Sequence, residues 1–375
     1  MLHVARSWFA VAIAATLLTG SLVVQPSARA HAVAGADLRA TPAHTWQPND
    51  RVSAILRIGH VVYLGGRFTR LFNRAGSSVP RQHLAAIDVR TGNPLSWNPG
   101  TDGEVFALAA SPAGDRLYVG GAFTRVHHSM RRGVAAFMPA GKLLPLKTRV
   151  RGGPVRALAV SSSTVFIGGG FNSVDGSRRV GLAAVSRGRG TLRSWYPGDA
   201  SEGAVRAMLF AGASRLVIGG AFTSIGASSV PYLAAVDAGS GVQRRWDAHP
   251  AKPVDSLAAA GSSVYAGTRD NRANRYEAST GSLRFSLHGD GDVQAVAVQD
   301  GVLYIGGHFQ LFDGRGAFHL AAADATTGAW VDWGAEVNSI HGVFSADGSK
   351  DALFIGGDFT QASGVHQAHF AMFTT

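Results

Sequence analysis

The chain has 375 residues, with 35 Lys and Arg against 24 Asp and Glu, a formal charge of +11, and no cysteine. Without thiols there is no disulfide framework, thiolate metal centre, cysteine nucleophile or lipid-anchor cysteine, so the folded state has to rest on its apolar core. Only Lys142, Lys147, Lys252 and Lys350 are lysines; so Arg-rich a field suits anionic partners such as acidic wall polymers, lipid headgroups or polysaccharides, and a GC-rich coding bias gives the same counts.

The first element is Met1 to Ala30. A basic start at Arg6, an apolar stretch from Trp8 to Val24 and the small-x-small triplet Ala28-Arg29-Ala30 read as a signal peptide over 1–30. Its removal leaves +9 on a secreted, extracellular chain with no transmembrane anchor, the alternative being an uncleaved anchor. Residues 31–40 read as a linker. Thr45-Trp46-Gln47-Pro48 then looks like the last strand of a repeat whose first strands are absent.

From residue 52 onward one pattern recurs. A short apolar run ends in Gly-Gly, first in Val62-Tyr63-Leu64-Gly65-Gly66-Arg67-Phe68, and again at Gly120, Gly168, Gly219, Gly267, Gly306 and Gly356. The spacings of 55, 48, 51, 48, 39 and 50 residues mark one supersecondary unit in tandem. Each copy opens with a run such as Val155-Arg156-Ala157-Leu158-Ala159. After the glycines come a Leu-Ala-Ala-x-Asp run, a Gly turn and Trp, as in His83-Leu84-Ala85-Ala86-Ile87-Asp88, Thr91-Gly92 and Trp97-Asn98-Pro99.

The apolar runs are too short for helices and are bounded by Gly, Pro, Asp, Asn or Ser. Four short antiparallel strands per copy predict an all-β, seven-bladed β-propeller over 41–375. The blades fall near 52–99, 104–150, 154–197, 204–247, 254–287, 292–333 and 338–375, the last completed by 41–47 with the strand near Trp46 closing the ring. The glycines serve close packing, the recurrent Trp wedges between blades, and Asp88, Asp237 and Asp324 are turn residues.

Catalytic signatures are thin: there is no Gly-x-Ser-x-Gly and no His-Glu-x-x-His. His127-His128 puts neighbouring side chains on opposite faces of an extended chain, and Asp175-Gly176 and Asp313-Gly314 read as turns. No metal or cofactor is expected. Function has to be sought where the repeat stops being regular. The residue after the leading Val of each first strand should face the mouth of an axial channel. In order it is Ser53, Phe106, Arg156, Arg206, Asp255, Gln294 and, by alignment of a strand beginning near Ile340, His341. Polar residues at six of seven such places make either a solvated channel or a ligand site.

A second set is the x of Gly-Gly-x-Phe, which gives Arg67, His308 and Asp358, with Arg269 at the matching place in the fifth copy. His308 with Asp358, or Asp255 with His341, could pair as acid and base, against a plain surface ion pair. The fifth copy, Val264-Tyr265-Ala266-Gly267-Thr268-Arg269-Asp270-Asn271, loses the second Gly and the Phe, which marks a worn repeat or a notch for a partner.

The repeat Tyr-x-Gly-Gly-x-Phe followed by Leu-Ala-Ala-x-Asp-x-x-Thr-Gly and Trp resembles the delta-60 type repeat of secreted bacterial β-propellers, many of them actinobacterial. It is also similar to the kelch-like repeats in the extracellular part of fungal cortical polarity markers. His83, His319 and His369 stand where such repeats often carry Asn. Ala322-Ala323-Asp324-Ala325-Thr326-Thr327-Gly328 with Trp333 is further similar to the tryptophan-docking repeat of quinoprotein dehydrogenases, but four residues separate Gly328 from Trp333 where that family has three.

The expectation is a monomeric extracellular binding module. Its partner would be an anionic cell-wall polymer or polysaccharide, or an envelope protein, met by Arg156 and Arg206. Nucleic acid is not expected, since no recognition helix or zinc pattern is present. The alternative is an extracellular polysaccharide lyase or hydrolase, or a quinone-dependent dehydrogenase, acting at the channel mouth.

Overall fold

The computed structural model describes residues 38–349 and 351–375. The expected signal segment, and the expected linker up to residue 37, lie outside them. Regular structure among the described residues is entirely β. Seven antiparallel sheets carry the glycine runs. The first is built from Val52–Ile58, Val61–Gly66 and Leu84–Asp88, with Val62 opposite Ile87 and Leu64 opposite Ala85. The same three-strand order recurs down to the seventh, Val343–Ser349, Ala352–Gly357 and Phe370–Thr374. The middle strand of each is buried along nearly its whole length, which is why those runs are continuous Val, Leu, Ile, Tyr and Phe rather than alternating.

The double glycines are explained by contact. A Cβ on Gly65 would stand 2.5 Å from Val105 Cγ1, one on Gly168 2.6 Å from Val205 Cγ1, and one on Gly356 2.6 Å from Val52 Cγ1. Real side chains never approach so closely, so the first glycine lets each middle strand seat the leading Val of the following copy, and the seventh seats that of the first. The second glycine has a different reason. At Gly66 the obstacle is the Arg51 carbonyl oxygen at 2.1 Å, and at Gly169 the Pro154 carbonyl oxygen at 2.1 Å. First strands also neighbour one another in succession, and Val52–Ile58 lies beside both Val105–Ala110 and Val343–Ser349.

The expected fourth strand is mostly absent. Among the described residues only the fifth sheet has one, Leu283–His288. In five others the chain after the turn touches the third strand through a single bridge, such as Ile87 with Pro94 or Val185 with Leu192. Prolines at 94, 99, 197 and 250 in these segments have no N–H to offer a ladder, and the chain peels away so that Trp can enter the gap between sheets. Trp97 sits edge-on between Tyr63 at 5.2 Å and Phe137 at 5.6 Å, and Trp333 between Tyr304 and Phe373 at 5.0 and 4.8 Å. The wedge reading of Trp therefore holds for both.

Between second and third strands most copies insert a small hairpin. Ser173–Val174 pairs with Ser177–Arg178 through the turn at Asp175-Gly176, and Ser173–Val174 also pairs with Val150–Arg151. The fifth copy omits it. Arg269-Asp270-Asn271 turns directly into Arg272–Glu277, with Asn271 at φ 65°, which accounts for its short spacing.

The N-terminal segment runs along the seventh sheet. Arg39 N–H donates to the Thr374 carbonyl at 2.9 Å and Ala43 N–H to that of Met372 at 2.7 Å. Trp333 Nε1 donates to the Leu38 carbonyl at 3.1 Å, and buried Gln367 Nε2 to Thr45 Oγ1 at 2.7 Å. The expected register is off by one residue. Ala43 occupies the place of Leu95, whose N–H bonds Ala86, so Thr45, not Trp46, stands where Trp97 does. Thr45 is buried, whereas Trp46 is only half-buried and bonds Asn93 Oδ1 through Nε1. The segment Gln47–Pro48 pairs with Arg70–Phe72 of the first copy rather than with the last.

Candidate functional site

Every first strand carries a β-bulge at its second residue. Val52 opposes Gly66 and Ala54 opposes Gly65, which leaves Ser53 as the extra residue, and the register shifts identically in the other six. A bulge re-aims the side chain of its extra residue and bends the strand. Here the seven extra residues line one cavity of about 440 Å³: Ser53, Phe106, Arg156, Arg206, Asp255, Gln294 and Phe344, joined by Arg51, Ala204 and Arg269.

Six of the seven residues expected from the repeat are thus brought together. The seventh is corrected: Val343 opposes Gly357 and Ser345 opposes Gly356, so the bulged residue is Phe344 and not His341. The strand begins at Val343 because Ile340 is 79% exposed and cannot serve as its leading apolar residue. Of the second expected set only Arg269 reaches the cavity. Arg67 holds both oxygens of Asp50 at 2.9 Å, and His308 stacks parallel on His319 with ring centres 6.1 Å apart. Neither expected acid–base pair forms. Asp358 takes the Ser339 hydroxyl at 2.8 Å and lies 2.8 Å from His341 Nδ1, while Asp255 is held by Arg206 and by Arg269 Nε at 2.8 Å.

Sequence reasoning missed Arg51 and Glu104. Arg51 Nη2 donates to Glu104 Oε1 at 2.9 Å, and Ser53 Oγ donates to the same oxygen at 3.1 Å. Both occupy the place just before the leading Val, a column of the repeat as variable as the one that was singled out. Phe344 escaped because the strand start was misjudged.

Most charges at the mouth are therefore paired, and Arg156 is not. Its guanidinium lies over the Phe106 ring, 4.5 Å from the centroid, and makes no side-chain hydrogen bond or ion pair among the described residues. Desolvation, and after it repulsion from Arg206, pull its pKa below the usual arginine value, yet a guanidinium stays charged at any physiological pH. Gln294 Oε1 is buried in the same mouth without a hydrogen-bond partner. Nearby Asp292 is pushed above the usual carboxylate range by burial, with the Arg269 charge opposing and Asp255 adding. The arrangement can offer the planar donors of Arg156, exposed to the cavity, to a carboxylate or phosphate.

Below the mouth the first strands continue with Ala54, Ala107, Ala157, Ala207 and Ala295 around a narrower space of about 190 Å³. Among the described residues no group of three His, Asp or Glu is placed to hold a metal ion, and no helix is long and apolar enough to cross a membrane. No protein-family model matches the chain, and comparison with curated proteins gives no relative. Among solved structures it is similar to the crystal structure of the computationally designed Ika8 protein, at 16% identity and a TM-score of 0.55, covering 88% of this chain and 98% of that one. That likeness concerns the fold alone.

Proposed function

We propose that the chain is an exported seven-bladed β-propeller acting as an extracellular binding module, its channel mouth receiving a carboxylate or phosphate of an anionic wall polymer or polysaccharide. A closed ring is supported by the contact of Gly356 with Val52 and by the N-terminal segment running along Phe370–Thr374. The delta-60 and kelch-like resemblance and the signal-peptide-like sequence of Met1 to Ala30 support the same reading. The observation that carries the function is the unpaired Arg156 inside a cavity lined by the bulged residue of all seven copies. Arg206 and Arg269 flank it, already half-neutralised by Asp255.

The test expresses residues 31–375 and measures binding to a panel of wall polymers and acidic polysaccharides at low and high salt, beside the Arg156→Ala/Arg206→Ala double variant. The reading expects binding that salt weakens and that is weaker in the variant. Binding of equal affinity in the variant and the unaltered chain would overturn it. Export is tested separately, since the N-terminus of the secreted protein should begin at His31.

A further inference from the structure

The positive charge is not spread evenly. Between residues 116 and 198 lie fourteen of the 35 Lys and Arg but only one of the 24 Asp and Glu, Asp175; the rest of the chain carries 21 basic and 23 acidic residues. The entire excess thus belongs to the second and third copies. Within them several cations are tied up: Arg187 holds Asp115, Arg178 holds Asp199, and Arg179 lies over Tyr196. Four are not. Lys147, Arg149, Arg151 and Arg189 line one open cavity of about 590 Å³ away from the channel mouth, and none makes a side-chain hydrogen bond or ion pair among the described residues. The only carboxylate there, Asp175, accepts the Arg149 backbone N–H at 2.8 Å.

The segment 147–151 alternates strictly. Lys147, Arg149 and Arg151 are exposed, while Thr148 and Val150 are 1% and 2% exposed, Thr148 Oγ1 donating to the Gly190 carbonyl at 2.7 Å. An extended chain with this period puts its outward cations on one face about 6–7 Å apart. Arg189 faces the ladder from the next turn, its carbonyl taking the Lys147 N–H at 3.1 Å.

We propose that this ladder is a second binding site, independent of the channel mouth, for an extended acidic polysaccharide whose carboxylates or sulfates meet successive cations. The ladder is linear, open and built of charge alone. Trp195, Tyr118, Phe123, Phe137, Phe166 and Phe171 are buried, Phe106 lies under Arg156 at the mouth, and Tyr196 is covered by Arg179, so among the described residues the ladder has no stacking platform of the kind single-stranded nucleic acid uses.

The experiment measures binding of the full chain to fluorescent oligogalacturonate and to a heparin oligosaccharide across a salt series. Arg149→Ala/Arg151→Ala/Arg189→Ala should lose at least about tenfold in affinity, with a log–log salt slope shallower by about one unit per cation removed, because fewer counterions are released. Arg149→Lys/Arg151→Lys should stay within about threefold, and circular dichroism checks that all variants fold. Arg156→Ala/Arg206→Ala should remove only the share of binding that the mouth supplies and leave a part that the triple variant abolishes. If that variant abolishes binding and the triple variant does not, the polymer binds only at the mouth and the ladder proposal fails while the mouth reading stands. A single-stranded DNA oligonucleotide of equal charge binding more tightly than either glycan would overturn the polysaccharide assignment.

Discussion

At the residue scale, the repeat is a set of steric rules that one atom can break. A Cβ on Gly168 would stand 2.6 Å from Val205 Cγ1 and 3.1 Å from Met208 Cε, so the contact has no slack. Gly168→Ala should cost about 1–3 kcal/mol by overpacking, read as a melting temperature several degrees lower, and adding Val205→Ala should recover part of the loss in a double-mutant cycle. The histidines before the Leu-Ala runs follow a different rule. His83, His319 and His369 have φ of 63°, 66° and 61°, the left-handed region that Asn and His tolerate better than branched residues, and their Nδ1 atoms lie 3.1–3.2 Å from the carbonyls of Gly66, Gly307 and Gly357. Their sequence place was legible and their reason was not, since a backbone angle leaves no mark in composition. Burial lowers the pKa of His319 and His369 below 6.5. A depressed folded-state value means stability present above the unfolded pKa and lost as pH falls through the folded one. The melting temperature should therefore drop as pH is lowered from about 7, and His319→Asn/His369→Asn, which keeps the left-handed backbone, should flatten that slope. An unchanged slope would remove these two groups from the account.

At the element scale, the three core strands of each copy could be read from the sequence because continuous apolar runs and glycines report burial directly. The fourth could not. Its Trp belongs to packing between sheets, as at Trp97 between Tyr63 and Phe137, rather than to a ladder, so a Trp-centred reading drew a strand where the structure has one bridge. The same habit misplaced Trp46 by a residue, and in extended chain a one-residue slip turns a side chain to the opposite face. What holds the N-terminal segment is instead backbone pairing to Thr374 and Met372 and the buried Gln367–Thr45 bond. Removing residues 1–46 should expose the edge of Phe370–Thr374 and drive self-association, measurable by light scattering, whereas a chain starting at Leu38 should stay monomeric. Equal behaviour of the two truncations would show that the segment does not protect that edge.

At the scale of the whole molecule, the seven bulges do together what none does alone. Each re-aims one side chain, and their convergence makes a mouth whose character depends on which residue each copy contributes. Six of those seven residues were legible from the repeat alone, five because a polar residue inside an apolar run stands out and Phe106 because it holds the same place in the repeat; Phe344 was hidden by an uneven loop before it. The pairing of Arg51 with Glu104 and of Asp255 with two arginines was invisible, since it joins different copies. Those pairs leave Arg156 as the mouth's open cation, and the account rests on it. The most direct measurement is a crystal structure of the protein soaked with trigalacturonate and, separately, with glycerol phosphate. The account predicts a carboxylate or phosphate within about 3 Å of the Arg156 guanidinium, in the bidentate geometry of such pairs. An empty mouth in crystals whose ligand sits elsewhere on the molecule would contradict it.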